Sequence, residues 1–254
     1  MLACSAARFK GSVYDMDVEQ TYAQYLSHHF GGERETDASF RLQARYFEKN
    51  YLPHMPENKN ARIVDLGTGL GHFLYFLREH GYTNILGVDV GKEVIEFCRK
   101  KNLPVVESEI IAYLENLKEP VDCFILNDVL EHQVKPTMWR MLEVIRAGLK
   151  EGGTFLVKVP NMGNPLLGND GRYIDITHEV GFDQHSMKQT LLMAKFKDVK
   201  VMGTDIYVTE NSLKNLLAKA AAAVLNKLWL TIFKLYGRTD TTIFSKNILA
   251  VAKR

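Results

Sequence analysis

Apolar residues in the middle of this chain fall into two alternating patterns. Short apolar runs at 62–66, 85–89, 105–107, 121–127 and 154–159 read as strands buried on both faces. Between them, apolar positions recur every three or four residues at 72–80, 92–100, 111–117 and 137–149, the spacing of helices that bury one side. In the second of these helices Val94, Ile95 and Cys98 share a face. Such alternation predicts an α/β fold, a parallel sheet with crossover helices. Two further strands are expected at 199–207 and 243–252.

Residues 1–60 read as an N-terminal helical cap, with helices at 19–30 and 38–51 split by Gly31-Gly32 and the second stopped by Pro53 and Pro56. On this cap Tyr14, Tyr22, Arg41 and Arg45 either line a substrate pocket or are ordinary surface and core positions. Residues 61–254 form the main domain. Within it, 160–182 is the least regular stretch; a loop of this length in a compact domain is usually functional or mobile. It follows the fifth strand, on the carboxyl edge where α/β sheets bind ligands. A helix at 183–196 comes next, with Ser186 as its cap and Met187, Leu191, Leu192 and Ala194 facing inward. Residues 211–236 form a helical insertion between the last two strands. Its broad apolar stripe includes Leu213, Leu217, Val224 and Leu228, punctuated by Lys214, Lys219, Lys227 and Lys234. That stripe suits a lid, a dimer face, a helix lying on a membrane surface, or a helix packed on its own domain.

The chemistry concentrates at Ile63-Val64-Asp65-Leu66-Gly67-Thr68-Gly69-Leu70-Gly71, answered by Asp89 at the end of the next strand. Glycines permit positive φ and let a ligand lie against bare backbone. The helix that follows offers free N–H groups and a partial positive charge to a ligand carboxylate. Asp89 stands where an acidic side chain accepts hydrogen bonds from ribose hydroxyls. The spacing is G-x-G-x-G, one residue short of the dinucleotide fingerprint G-x-G-x-x-G. Asp65 would repel a pyrophosphate but suits an ammonium or sulfonium group. S-adenosylmethionine carries both, with a ribose and a carboxylate.

On these motifs the chain resembles the class I S-adenosylmethionine-dependent methyltransferases from about Ile63 to Asn161. Residues 63–72 resemble the V-L-D-x-G-x-G-x-G motif, Gly87-Val88-Asp89-Val90 the second-strand acidic motif, and 105–114 the third-strand segment, with Glu109 in the usual Asp position and Ile110 beside it. Residues 122–132 resemble the fourth-strand signature, and Leu149-Lys150-Glu151-Gly152-Gly153 the L-K-P-G-G turn, with Glu151 in place of proline. The resemblance implies a Rossmann-like seven-stranded, mostly parallel sheet with helices on both faces and one antiparallel strand near its edge. It also implies a cofactor set of Asp65, Gly67, Thr68, Gly69, Gly71, Asp89, Val90, Glu109, Ile110, Asn127, Asp128 and Val129.

Composition adds bounds. Lys and Arg number 32 against 30 Asp and Glu, a net charge of +2, so charge gives no general argument for nucleic acid. Cys4, Cys98 and Cys123 show no paired spacing, which suggests a reduced, cytoplasmic protein. Met1-Leu2-Ala3-Cys4 lacks the apolar stretch of a lipoprotein signal. The absence of a run of eighteen or more apolar residues argues against a transmembrane span.

Methyl transfer aligns an acceptor atom with the sulfonium carbon–sulfur bond and excludes water; a base helps when the acceptor is a neutral hydroxyl. His132 ends the fourth-strand signature. His178 opens a stretch similar to the family's H-x-x-x-F-x-x-x-S-L segment, in which the histidine faces the active site. Both are candidate bases, and either could instead bond a backbone carbonyl. Beyond Asn127 and Asp128 no spaced acidic set is present, so no metal is expected. Neither the Asn/Asp-Pro-Pro-Tyr/Phe signature nor a basic run interleaved with aromatics occurs, which argues against nucleic-acid acceptors. A small-molecule or glycan acceptor remains, with Asn164, Asn169, Asp170, Arg172 and Tyr173 able to bond sugar hydroxyls. The pattern resembles bacterial sugar and quinone-type O-methyltransferases. O-methylation of a saccharide or related metabolite is expected. The alternatives are methylation of a quinone precursor or other phenol, and a cofactor-binding subunit without turnover. The 213–236 helix adds two expectations, peripheral membrane contact or a homodimer.

Overall fold

The computed structural model describes residues 32–207 and 209–254. The expected helix at 19–30, with Tyr14, Tyr22 and Cys4, lies outside them. The chain enters through α1 (Asp37–Asn50), capped by Thr36, whose side chain accepts from Ser39 N. Strands and helices then alternate: β1 (Ile63–Leu66), α2 (His72–Glu79), β2 (Ile85–Asp89), α3 (Lys92–Lys100), β3 (Val105–Glu107), α4 (Ile110–Glu115), β4 (Val121–Asn127), α5 (Lys135–Gly148) and β5 (Leu149–Pro160). After β5 come a short α6 (Gly168–Tyr173), α7 (Gln184–Met193), β6 (Lys197–Gly203), α8 (Ser212–Leu235) and β7 (Asn247–Lys253).

The sheet order is β3-β2-β1-β4-β5-β7-β6. β1 sits parallel between β2 and β4, with Ile63 opposite both Ile85 and Cys123. β7 runs antiparallel to β5 and to β6, so it is the antiparallel strand. Period-two alternation builds a core on each face. Val64, Leu66, Phe124, Leu126, Phe155 and Val157 turn toward Leu142 and Ile145 of α5. Ile63, Cys123, Ile125 and Leu156 turn the other way, onto Phe47 of α1 and Phe73 and Phe76 of α2.

Five sequence readings are corrected. The strand expected at 199–207 is β6, which starts two residues earlier at Lys197 and ends at Gly203. β5 starts at Leu149 rather than 154, because a bulge at Gly152 (φ 72°) shifts the register so that Leu149 pairs Val121 while Thr154 pairs Cys123. β7 starts at Asn247 rather than 243. The residues before it leave the sheet to hold the loop after β5: the Asn161 amide donates to the carbonyls of Ile243 and Ser245, and that of Asn164 to Phe244. The cap of α7 is Asp183, whose carboxylate accepts from the amides of His185 and Ser186, while Ser186 Oγ accepts from Asp183 N. That is a capping box with Ser186 as its third-position partner. Leu192 is half exposed rather than inward.

α8 changes the picture most. It is 24 residues long, and by length and composition it could cross a membrane. Counting uninterrupted apolar residues misses this, because Lys219 and Lys227 break the run. The N-terminal part of its apolar stripe is not packed on the domain: Leu213, Leu216, Leu217 and Val224 are each more than 60% exposed, and Asn215 is its buried residue, whereas at its C-terminal end Phe233 packs edge-on against buried Phe244.

Candidate functional site

Because β1, β2, β4 and β5 run parallel, their carboxyl ends share one edge. The strand order reverses between β1 and β4, where such sheets open a crevice for ligands. The loops leaving this edge carry the candidate residues.

After β1, Gly67, Gly69 and Gly71 have φ of 73°, 50° and 75°, the left-handed region that glycine adopts without strain. Two of them are also wedged: a Cβ at Gly67 would meet Val129 Cγ2 at 2.5 Å, and one at Gly71 would meet Leu103 Cδ1 at 2.5 Å. At Gly69 a Cβ would meet nothing within 4 Å, so this glycine borders open space. Asp89 ties the turn to β2, its Oδ2 accepting from Gly69 N at 3.0 Å and its Oδ1 from Gly91 N at 2.9 Å. Each oxygen keeps a lone pair for a ligand hydroxyl. Burial raises the Asp89 pKa against the pull of these bonds.

Asp65 lies beneath the turn, 2% exposed. Its Oδ2 accepts from Thr68 Oγ1 at 2.7 Å, and its Oδ1 is buried with no partner. Burial raises its pKa to about 7, with Asp89 adding to the rise and Thr68 and Lys158 opposing it. A carboxylate held this way answers a cationic ligand group. Val90 is half-buried beside Asp89, Ile110 is buried in the core beneath, and Glu109 is exposed just ahead of α4.

At the end of β4, Asn127 Oδ1 accepts from Tyr51 Oη at 2.5 Å, which ties the segment after α1 to this edge. Asp128 has a left-handed φ of 54°, and its Oδ2 accepts from Lys158 Nζ at 2.5 Å. Burial pulls the Lys158 ammonium down, but Asp128 outweighs it and the pKa is raised. Next along the chain, Glu131 is 1% exposed, and neither carboxylate oxygen has a hydrogen-bond partner. Burial, with Asp128 close by, holds that carboxyl well above the usual range.

The two candidate histidines meet. The His132 and His178 rings are 4.6 Å apart, edge to face. His178 Nδ1 lies 2.7 Å from Gly171 O. A carbonyl only accepts, so Nδ1 carries the proton and Nε2 the lone pair of the neutral ring. His132 Nδ1 lies 2.7 Å from Thr177 Oγ1, which itself donates to Asp175 Oδ1. Burial, and His178 beside it, push the His132 pKa down to about 4. Donor atoms of Glu131, His132 and His178 all lie within 4.8 Å of one another.

The edge therefore gathers the glycine turn, Asp65, Asp89, Asn127, Val129 and both histidines. Arg41 and Arg45 instead bond Glu210, through its carboxylate and its carbonyl respectively. Asn164 is spent on the loop itself, donating to Phe244 O and accepting from the amides of Leu166 and Leu167. Asn169, Asp170 and Tyr173 are exposed, and Arg172 is half-buried. Sequence reading missed Tyr51, Lys158 and Glu131. The signal for Lys158 was a lone cation inside the apolar run Phe155–Val159.

A family profile described as a methyltransferase domain matches residues 39–201. A 68-residue segment is 37% identical to EEF1A lysine methyltransferase 2 of Danio rerio, spanning 27% of this chain and 26% of that protein. Among solved structures, a SAM-dependent methyltransferase from Archaeoglobus fulgidus aligns with TM-score 0.66 at 21% identity, covering 89% of this chain and all (100%) of that one. Human N-acetylserotonin methyltransferase, solved in complex with SAM, aligns with TM-score 0.53 at 15% identity over 93% of this chain and 55% of that one. At these identities the structural likenesses speak for the fold.

Proposed function

Because this chain belongs to the methyltransferase-domain family that matches residues 39–201, it is an S-adenosylmethionine-dependent methyltransferase, and we propose that it methylates a hydroxyl of a saccharide, a glycan or a related small metabolite. The residues fit the cofactor. Asp65 Oδ1 is a buried acceptor without a partner, suited to the ammonium group. Asp89 has acceptor capacity left for ribose, and the open side of Gly69 lets the ligand lie against backbone. Bound there, S-adenosylmethionine supplies an electrophilic methyl group. The protein's own part is to hold the acceptor in line and keep water out.

The observation that carries the acceptor reading is the His178 ring. Its Nδ1 proton is committed to Gly171 O, which leaves Nε2 as the basic atom beside His132, on the loop that follows β5. A hydroxyl oriented there gives up its proton more readily than in water. Exposed Asn169 and Asp170 on the same loop supply the kind of polar contact a sugar uses. The test is a screen for S-adenosylhomocysteine release with saccharides, phenols and lysine-bearing proteins, run on the wild type and His178→Ala. Release with a sugar, lost in the variant while S-adenosylmethionine still binds, is expected. Turnover confined to phenols or lysines would replace this reading. Cofactor binding without release from any acceptor would favour a binding-only subunit.

One feature favours a second reading, methylation of a quinone precursor or other phenol at a membrane. The exposed apolar stripe of α8 would hold the enzyme at a surface where such acceptors collect.

A further inference from the structure

We propose that Glu131, His132 and His178 form a binding site for a divalent transition-metal ion at the carboxyl edge of β4.

The argument begins with Glu131. A carboxylate at 1% exposure with both oxygens unpartnered is costly to keep. Its neighbour Lys158 is committed to Asp128. Two unpartnered buried oxygens beside two imidazoles point to a bound cation.

The surroundings say what that is. Two imidazoles and the carboxylate offer donor atoms within 4.8 Å of one another. Small side-chain rotations bring such atoms around one ion, with bonds of roughly 2.0–2.2 Å. Both rings also carry the outer support that metal-binding histidines have. Gly171 O fixes the His178 tautomer, so its lone pair is on Nε2. His132 Nδ1 is held by Thr177 Oγ1, and Thr177 is held by Asp175. The backbone is clamped as well, because the amides of Glu179 and Val180 donate to Glu131 O at 2.8 and 3.0 Å. This joins the end of β4 to the stretch that carries His178.

Two imidazoles and one carboxylate suit zinc, manganese, cobalt or ferrous iron rather than calcium or magnesium, which favour all-oxygen sets. With three protein ligands, the ion keeps an open position for an acceptor oxygen, which it polarises as a Lewis acid. The proposal deepens the reading of this edge as the acceptor site, on which that role rests: with an ion bound, the His178 Nε2 lone pair goes to the metal and the ion, not the imidazole, activates the acceptor hydroxyl, and ion binding can be measured without any acceptor.

The experiment is calorimetric titration of metal-free wild type, Glu131→Gln and His178→Ala with zinc, manganese and cobalt chlorides. The cobalt complex is also read by its visible absorption, and S-adenosylmethionine binding is measured on the same samples. We expect one equivalent of ion on the wild type, weakened by about 100-fold or more in each variant, since even an outer partner is worth 10–100-fold. Cofactor affinity should be unchanged. No stoichiometric uptake by the wild type, or undiminished uptake in both variants, overturns the proposal. If Glu131→Gln does not fold, His178→Ala and the cobalt spectrum decide: a spectrum that the histidine change leaves unaltered also overturns it. Failure of the acceptor screen alone would leave the ion result standing.

Discussion

Gly67 and Val129 approach so closely that a Cβ on the glycine would sit 2.5 Å from the valine Cγ2, which seats the glycine turn on the segment after β4. Gly69, two residues on, has open space instead. Gly67→Ala should therefore destabilise the fold by roughly 1–3 kcal/mol through overpacking, with roughly 1–2 kcal/mol more for the left-handed backbone. Gly69→Ala should carry only the backbone penalty, yet it places a methyl group in the open space where the proposed cofactor pose runs. Urea unfolding and calorimetry with S-adenosylmethionine separate the two. Full cofactor affinity in Gly69→Ala would disprove the placement of the ligand against this turn.

Asp65 makes cofactor affinity depend on pH. Burial holds its pKa at about 7, and in the proposed cofactor pose the ammonium pairs with the ionised form. Below that value a proton must leave on binding, so affinity should fall toward about tenfold per pH unit on the acid side and level off above it. The stability of the ligand-free protein runs the other way. Unfolded Asp65 ionises near 3.8 and folded Asp65 near 7, so stability present at low pH is lost as pH rises between them. Asp65→Asn should flatten both profiles. A variant that keeps the wild-type pH slope in calorimetry would sink the assignment.

Lys158 and Asp128 are unequal partners. The lysine side chain is 11% exposed and the aspartate 50%. Removing the aspartate strands a buried ammonium, which typically costs about 3–5 kcal/mol when the remaining charge is fully buried. Removing the lysine leaves a carboxylate that water already reaches. Asp128→Ala should lower the unfolding midpoint more than Lys158→Met, with a pH-sensitive loss as the stranded lysine deprotonates. Equal losses in thermal unfolding would contradict the asymmetry.

The contrast between turn and pair shows which parts of the molecule were legible beforehand. Strands β2, β3 and β4 match expectation because their apolar runs end at glycine, proline or polar residues that local chemistry dictates. The glycine turn was legible for the same reason: left-handed φ and ligand clearance act within a few residues. Lys158 with Asp128, and His132 with Thr177, lie 30 and 45 positions apart. Only sheet register and the path of the loop after β5 bring them together, and no periodicity encodes that. Asn164 carries the same lesson: its amide looked free for a sugar, but the loop needed it for Phe244 O. For α8, spacing showed an apolar face but not what covers it.

That uncovered face yields the last prediction. Leu213, Leu217 and Val224 are more than 60% exposed along α8. Each such side chain taken out of water contributes about 1.5–3 kcal/mol, so a few inserted together suffice for reversible binding to a bilayer surface. Lys214 and Lys227 on the same helix favour an anionic surface. The protein should therefore sediment with vesicles containing phosphatidylserine, less with neutral ones, and Trp229 emission should shift to the blue. Leu217→Glu with Val224→Glu should abolish both effects without touching S-adenosylmethionine binding, because the cradle lies at the sheet edge. If vesicles leave the wild type in solution but the same double change converts a dimer to a monomer in analytical ultracentrifugation, the stripe is a subunit face. If neither assay responds, the helix closes over the domain as a lid, and acceptor protection of α8 amides from hydrogen exchange is the result to expect.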